Sequence, residues 1–85
     1  QIVKHMKDKD FTSVRKWVAE NNDIETVVLF RKLYDNASTM LANNVSIAQM
    51  VMILANYQYK AAFVADQEIN TTACMAELMV NMEWK

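Results

Sequence analysis

The 85 residues of this chain include neither glycine nor proline, where average usage would supply about ten of the two together. Glycine provides positive-φ turns, and proline stops helices and shapes loops. A chain without them must turn on Asn, Asp and Ser, and it is poorly suited to hairpins with primed turns. Glycine-rich phosphate loops are excluded, because they need the backbone to approach a ligand closely. The expected fold is all-α, about five short helices in a compact bundle, with no nucleotide chemistry of its own.

The length suits one small domain spanning residues 1–85, near the lower limit for an independent core. Apolar residues make up 53 % and charged residues 22 %, a composition that argues against disorder. The net charge of −1 is unevenly spread. Lys4, Lys7, Lys9, Arg15 and Lys16 outnumber Asp8 and Asp10 in the first sixteen residues, whereas Asp66, Glu68, Glu77 and Glu83 outnumber Lys85 after position 60. Cys74 is single, so an internal disulfide and a cysteine zinc site are excluded, and a reducing cytoplasm fits. No signal peptide or apolar run of membrane-spanning length is present, and a soluble protein is expected. The chain lacks an initiator Met, and Ile2, Val3 and Met6 already follow helical spacing. It therefore reads as a fragment of a longer protein, with Glu83-Trp84-Lys85 as a natural terminus.

Periodicity organises the rest. Ile2, Val3 and Met6 end a first helix that closes at Lys7-Asp8-Lys9. Asp10 is placed to cap a second helix carrying Phe11, Val14, Trp17 and Val18, broken by Asn21-Asn22-Asp23. A third helix is expected from about Ile24 to Thr39, and the Asn43-Asn44 pair then turns the chain. Ser46 and Gln49 form a capping-box pattern, with Val45 available to staple onto Met50, and predict a helix from Ile47 to about Val64. Asp66 caps a last helix from Gln67 to about Glu83. In that helix Ile69, Thr72, Ala73, Ala76 and Val80 share one face and Asn70, Cys74, Glu77 and Asn81 a polar strip. Met75, Leu78, Met79 and Met82 continue round the cylinder. An apolar surface that broad calls for cover on two sides, so this helix is expected to meet another subunit.

No catalytic residue, cofactor-binding residue or metal ligand is assigned. His5 is the sole histidine, Cys74 has no histidine near it in sequence, and Glu68, Glu77 and Glu83 lack the inward Glu-x-x-His pattern of a two-metal bundle. Trp17 and Tyr57 lie in apolar stripes and read as core, whereas Trp84 either folds back or docks on a neighbour. Methionine suits adaptable contact surfaces as well as irregular core gaps. The candidate subunit interface is accordingly Met52, Tyr59, Phe63, Met75, Leu78, Met79, Met82 and Trp84. A basic patch of Lys4, Lys7, Lys9, Arg15 and Lys16 makes a nucleic-acid-binding helical module the alternative, although a solvated helix face is the favoured explanation of those charges.

The run Tyr57-Gln58-Tyr59, the helix start Asp66-Gln67-Glu68-Ile69 and the ending Met82-Glu83-Trp84-Lys85 resemble the tail of a sliding-clamp-loader ATPase subunit. The start, from Ile2 to Asp10 and on through Val14-Arg15, resembles the first collar helices of the same family, the large loader subunits of T-even-type tailed phages. The likeness covers essentially the whole chain through scattered identities, the tail being its most specific part. It implies a carboxy-terminal collar domain of an AAA+ protein, through which four ATPase copies and one distinct small subunit join in a ring that loads clamps during DNA replication. It also implies that ATP and Mg²⁺ belong to upstream modules, that the sliding clamp and primer–template DNA are met through those modules, that no membrane is involved, and that the protein works in the cytoplasm of an infected bacterium. The Walker lysine, the acidic box and the arginine finger have no counterpart here. Relatives commonly carry a glycine near the junction of the last two helices, where this chain has Ala61-Ala62-Phe63-Val64-Ala65.

Overall fold

Six helices account for the described part of the computed structural model, which covers residues 2–85. They are α1 (Ile2–Lys7), α2 (Phe11–Glu20), α3 (Thr26–Asp35), α4 (Ala37–Met40), α5 (Asn44–Ala61) and α6 (Gln67–Asn81). The all-α class follows from the sequence as expected, and the Cα radius of gyration of 11.8 Å matches the ~12 Å of a packed domain of this length. One core runs through all six helices, from Ile2 and Met6 through Val14, Phe30 and Met50 to Met75, Leu78 and Met82.

Polar side chains do the work that glycine and proline do elsewhere. Asp10 accepts the Ser13 backbone N–H at 3.1 Å and the Ser13 hydroxyl at 2.7 Å, starting α2. Asp66 accepts the Ile69 N–H at 3.2 Å, starting α6. The α1–α2 turn is the one place among the described residues with a positive φ, at Lys9 (56°). There the Lys9 N–H donates to the Met6 carbonyl and the Asp10 N–H to the His5 carbonyl, the paired bonds of a Schellman ending. The position glycine usually holds is occupied by a lysine whose ammonium donates to the Met79 carbonyl at 2.7 Å, in the last turn of α6.

Three expectations need correction. The predicted third helix is two, because Asn36 leaves helical geometry (φ −105°, ψ 8°) and α4 sets off from it. Asn36 Nδ2 donates to the Lys32 carbonyl at 2.8 Å, closing α3 with a side chain. The long helix starts at Asn44 rather than Ile47: Asn43 is the cap, accepting the Ser46 N–H at 2.8 Å, while Ser46 is buried and Val45 points to solvent instead of stapling onto Met50. The last helix stops at Asn81, and the tail turns extended at Met82.

The α5–α6 junction needs no glycine. The N–H groups of Ala62, Phe63 and Val64 donate to the carbonyls of Tyr59 and Lys60, tightening the last turn of α5, and Ala62 itself remains in right-handed geometry. Gln67 Nε2 then reaches back to the Ala61 carbonyl at 2.7 Å.

Helix α6 is the centre of the molecule. It packs against α5 on one side and against α1 and α2 on the other. The tail beyond it pairs with the α4–α5 connection: the Ala42 N–H donates to the Glu83 carbonyl and the Lys85 N–H to the Met40 carbonyl, both at 2.9 Å. Lys85 Nζ adds a bond to the Ser38 carbonyl, and the Glu83 N–H donates to Ser46 Oγ at 3.0 Å. The buried Ser46 hydroxyl therefore anchors the tail instead of capping a helix.

Candidate functional surface

The central place of α6 decides the fate of half the expected contact residues. Met75, Leu78, Met79 and Met82 are buried in the chain's own core, so as surface contacts they are corrected. The short α1 and α2 supply the second layer of cover that the sequence reading assigned to another subunit. Cys74 and Asn70, read as part of a polar strip, are buried too, and Asn70 Nδ2 donates to the Tyr57 carbonyl at 3.4 Å. The face with Ile69, Ala73 and Val80, for which the breadth of the apolar surface implied cover, is exposed. Trp84 is partly buried against the core, held by the bridge to Leu41, and its indole Nε1 is buried without an acceptor. Of the two placements considered for it, the tail folds back.

Met52, Tyr59 and Phe63 are exposed, at 65, 70 and 72 %. Met52 and Tyr59 share a line along α5 with Val45, exposed at 69 % and expected from the sequence to staple onto Met50, and Phe63 follows in the turn after the helix. Tyr59 and Phe63 meet edge to face with centroids 5.2 Å apart, which stiffens the carboxy-terminal end of the ridge. Beside the ridge a shallow cleft between α3 and α5 is lined by Val27, Tyr34, Val51 and Gln58. No Asp, Glu, Lys or Arg occurs from Asn36 to Tyr59, so the exposed side of α5 is uncharged until Lys60 in its last turn. An exposed helix normally pairs its apolar stripe with a charged outer face; α5 buries one apolar face on α3 and α6 and presents a second to solvent. Its overall amphipathicity is weak for that reason, and the seven-residue spacing of Val45, Met52 and Tyr59 is the signal that identifies the ridge in the sequence.

The basic candidates are dispersed in their roles. Lys9 holds the Met79 carbonyl, Arg15 lines a cleft with Phe11, Glu68 and Ile69, and Lys4, Lys7 and Lys16 are exposed on α1 and α2.

The chemistry of the remaining polar residues is structural. Burial pushes the Cys74 thiol well above its ordinary pKa, and the Glu77 carboxylate adds to the effect. Tyr57 donates its hydroxyl to Glu77 Oε1 at 3.0 Å, and burial followed by that bond raises its pKa. Lys60 sits over the Tyr57 ring, 5.2 Å from its centroid. Among the described residues no group of three His, Cys, Asp or Glu side chains gathers to hold a metal ion, and no helix is long and apolar enough to cross a membrane. Comparison of the chain with protein-family models and with curated proteins finds no match.

Proposed function

We propose that this chain is an oligomerisation module, the collar of a sliding-clamp-loader ATPase subunit, holding loader subunits together during DNA replication. The observation that carries the assembly role is the uncharged, exposed ridge of Val45, Met52 and Tyr59 on α5, continued by Phe63 in the turn that follows it. Depletion of charge together with exposed Met and aromatic residues is the composition of an interface core. The clamp-loader identity is supported by the resemblance of the Tyr57-Gln58-Tyr59 run and the Trp84-Lys85 ending. The mechanism is passive: helix faces hold the subunits while ATP-driven changes take place in upstream AAA+ modules. The chain itself is then not an enzyme, although the full protein is an ATPase.

Deleting residues 1–85 from the full-length protein tests this reading. Native mass spectrometry is expected to show that the truncated protein no longer joins the other loader subunits while its nucleotide binding persists. Intact assembly without this domain, or an upstream sequence lacking a Walker loop, would contradict the proposal. Salt-sensitive binding of DNA by the isolated chain would instead favour the nucleic-acid alternative and its basic residues Lys4, Lys7, Lys9, Arg15 and Lys16.

A further inference from the structure

Two features of complementary chemistry lie on different faces of the molecule. The first is the stacked pair of Tyr59, in the last turn of α5, and Phe63, in the turn that follows. They are the most exposed aromatic side chains among the described residues. The second is a cavity of about 390 Å³ bounded by α1, α2, α3 and α4, at the small end of the ~300–1,000 Å³ range of binding sites. Buried Ile2 and Leu33 and the Trp17 indole make its floor apolar, and exposed Lys32, Asn36 and Thr39 form its rim. Helix α3 stands between the two features. It turns Val27 and Tyr34 towards α5 and Leu29 and Leu33 towards the cavity. A chain therefore cannot seat its own aromatic pair in its own cavity.

We infer that copies of this chain pair head to tail, with Tyr59 and Phe63 of one copy seated in the α1–α4 cavity of the next. The cavity suits an aromatic occupant. Trp17 offers a ring for edge-to-face contact, and the Lys32 ammonium, which is in no ion pair among the described residues, is attracted to the face of an incoming ring. Phe63 supplies apolar bulk for the floor, and the Tyr59 hydroxyl accepts a hydrogen bond from the polar rim. Two rings already held edge to face lose little freedom on docking. The charge next to them in sequence, Lys60, lies over the Tyr57 ring instead. The other exposed aromatics are engaged within the chain: Arg31 sits over the Tyr34 ring at 5.1 Å, and Phe11 lines a cleft with Arg15 and Glu68.

A contact between two different surfaces is heterologous, so it repeats from copy to copy and either closes a ring or runs on as a filament. Every copy carries both the knob and the socket, as a multi-subunit ring requires. Two buried rings contribute on the order of 300–500 Å². With the socket surface that they cover, the total is roughly 600–1,000 Å², below the ~1,200 Å² of a stable specific pair. Met52, about 10 Å further along the ridge, extends the contact beyond the rim. A single contact is therefore weak, and a closed ring gains by holding each copy at both faces. The inference rests on reading the ridge as a subunit contact and adds the surface that receives it.

Complementation between two variants tests it. Phe63→Glu removes the knob and Thr39→Trp fills the mouth of the socket; both positions are exposed, and each variant is expected to melt like the unmodified chain by circular dichroism. Should Thr39→Trp melt early, Lys32→Glu at the same rim takes its place with the same expectation. In sedimentation equilibrium up to millimolar concentration, the mass of the unmodified chain is expected to rise beyond that of a dimer. Each variant alone is expected to stay monomeric. Their equimolar mixture is expected to form a dimer and nothing larger, because one copy keeps its socket and the other its knob. A monomeric unmodified chain, association that stops at a dimer, or a mixture that stays monomeric would overturn the inference. A socket variant that associates like the unmodified chain would overturn it as well. If Met52→Glu disrupts the assembled loader and Thr39→Trp does not, the cavity is not the receiving surface, and the collar reading stands.

Discussion

Lys9 combines a backbone cost with a side-chain gain. A non-glycine residue in the left-handed region is disfavoured by about 1–2 kcal/mol, and the charged bond from Nζ to the Met79 carbonyl offsets it. The two contributions are separable by substitution. Lys9→Ala keeps the strained backbone and loses the bond, and is expected to lower stability by about 1–2 kcal/mol in chemical denaturation. Lys9→Gly loses the bond but relieves the backbone, and is expected to stay close to the unsubstituted chain. Equal losses for the two would show that the turn carries no strain. Cys74 supplies a second residue-scale check. Because burial keeps its thiol protonated, alkylation near neutral pH is expected to be at least about tenfold slower in the folded chain than in denaturant. Rapid labelling of the folded chain would place the thiol at the surface.

At the scale of elements, each helix start can be tested through its cap. Asn43→Ala removes the acceptor for the Ser46 N–H and is expected to cost about 1 kcal/mol, whereas Gln49→Ala is expected to cost little. A larger loss from Gln49→Ala would restore the capping box at Ser46. The carboxylate of Asp10 is held below its usual range by the Ser13 hydroxyl and backbone N–H. A depressed folded-state pKa gives stability that is present above the unfolded pKa and lost as pH falls through the folded value. Asp10→Ala is therefore expected to lower the melting temperature near neutral pH, with the difference shrinking as the pH falls below the ordinary Asp range. A difference independent of pH would remove the charge from the account.

Element type and approximate span were legible because periodicity and the Asp10 and Asp66 caps are local properties. The start of α5 was not. Ser46 and Gln49 satisfy the local capping pattern, but the Ser46 hydroxyl is engaged by the tail thirty-seven residues away. The face of α6 was misread for a related reason. Both its sides are apolar, and the choice between them is made by α1, α2 and the Lys9 bond, none of which leaves a mark on the helix itself.

Across the whole molecule, α6 forms the interior and α5 divides its surface between the core and solvent. That division separates the two sets of candidate contacts. Met75, Leu78, Met79 and Met82 hold the fold together, whereas Met52, Tyr59 and Phe63 are available to a partner. Met79→Glu is consequently expected to unfold the domain, because it buries an unpaired charge in the core; a folded variant with normal melting behaviour would contradict that placement. The same substitution on the ridge should spare the fold and affect assembly alone. The measurement that tests the proposed collar role most directly is whether the protein assembles with clamp-loader subunits, by native mass spectrometry, for Met52→Glu beside Val80→Glu. Both residues are exposed and apolar, but only Met52 lies on the α5 ridge. The account predicts a folded Met52→Glu protein that no longer assembles and a Val80→Glu protein that does. Full assembly of the Met52→Glu protein would contradict the assignment of the α5 ridge as the contact that holds the subunits together.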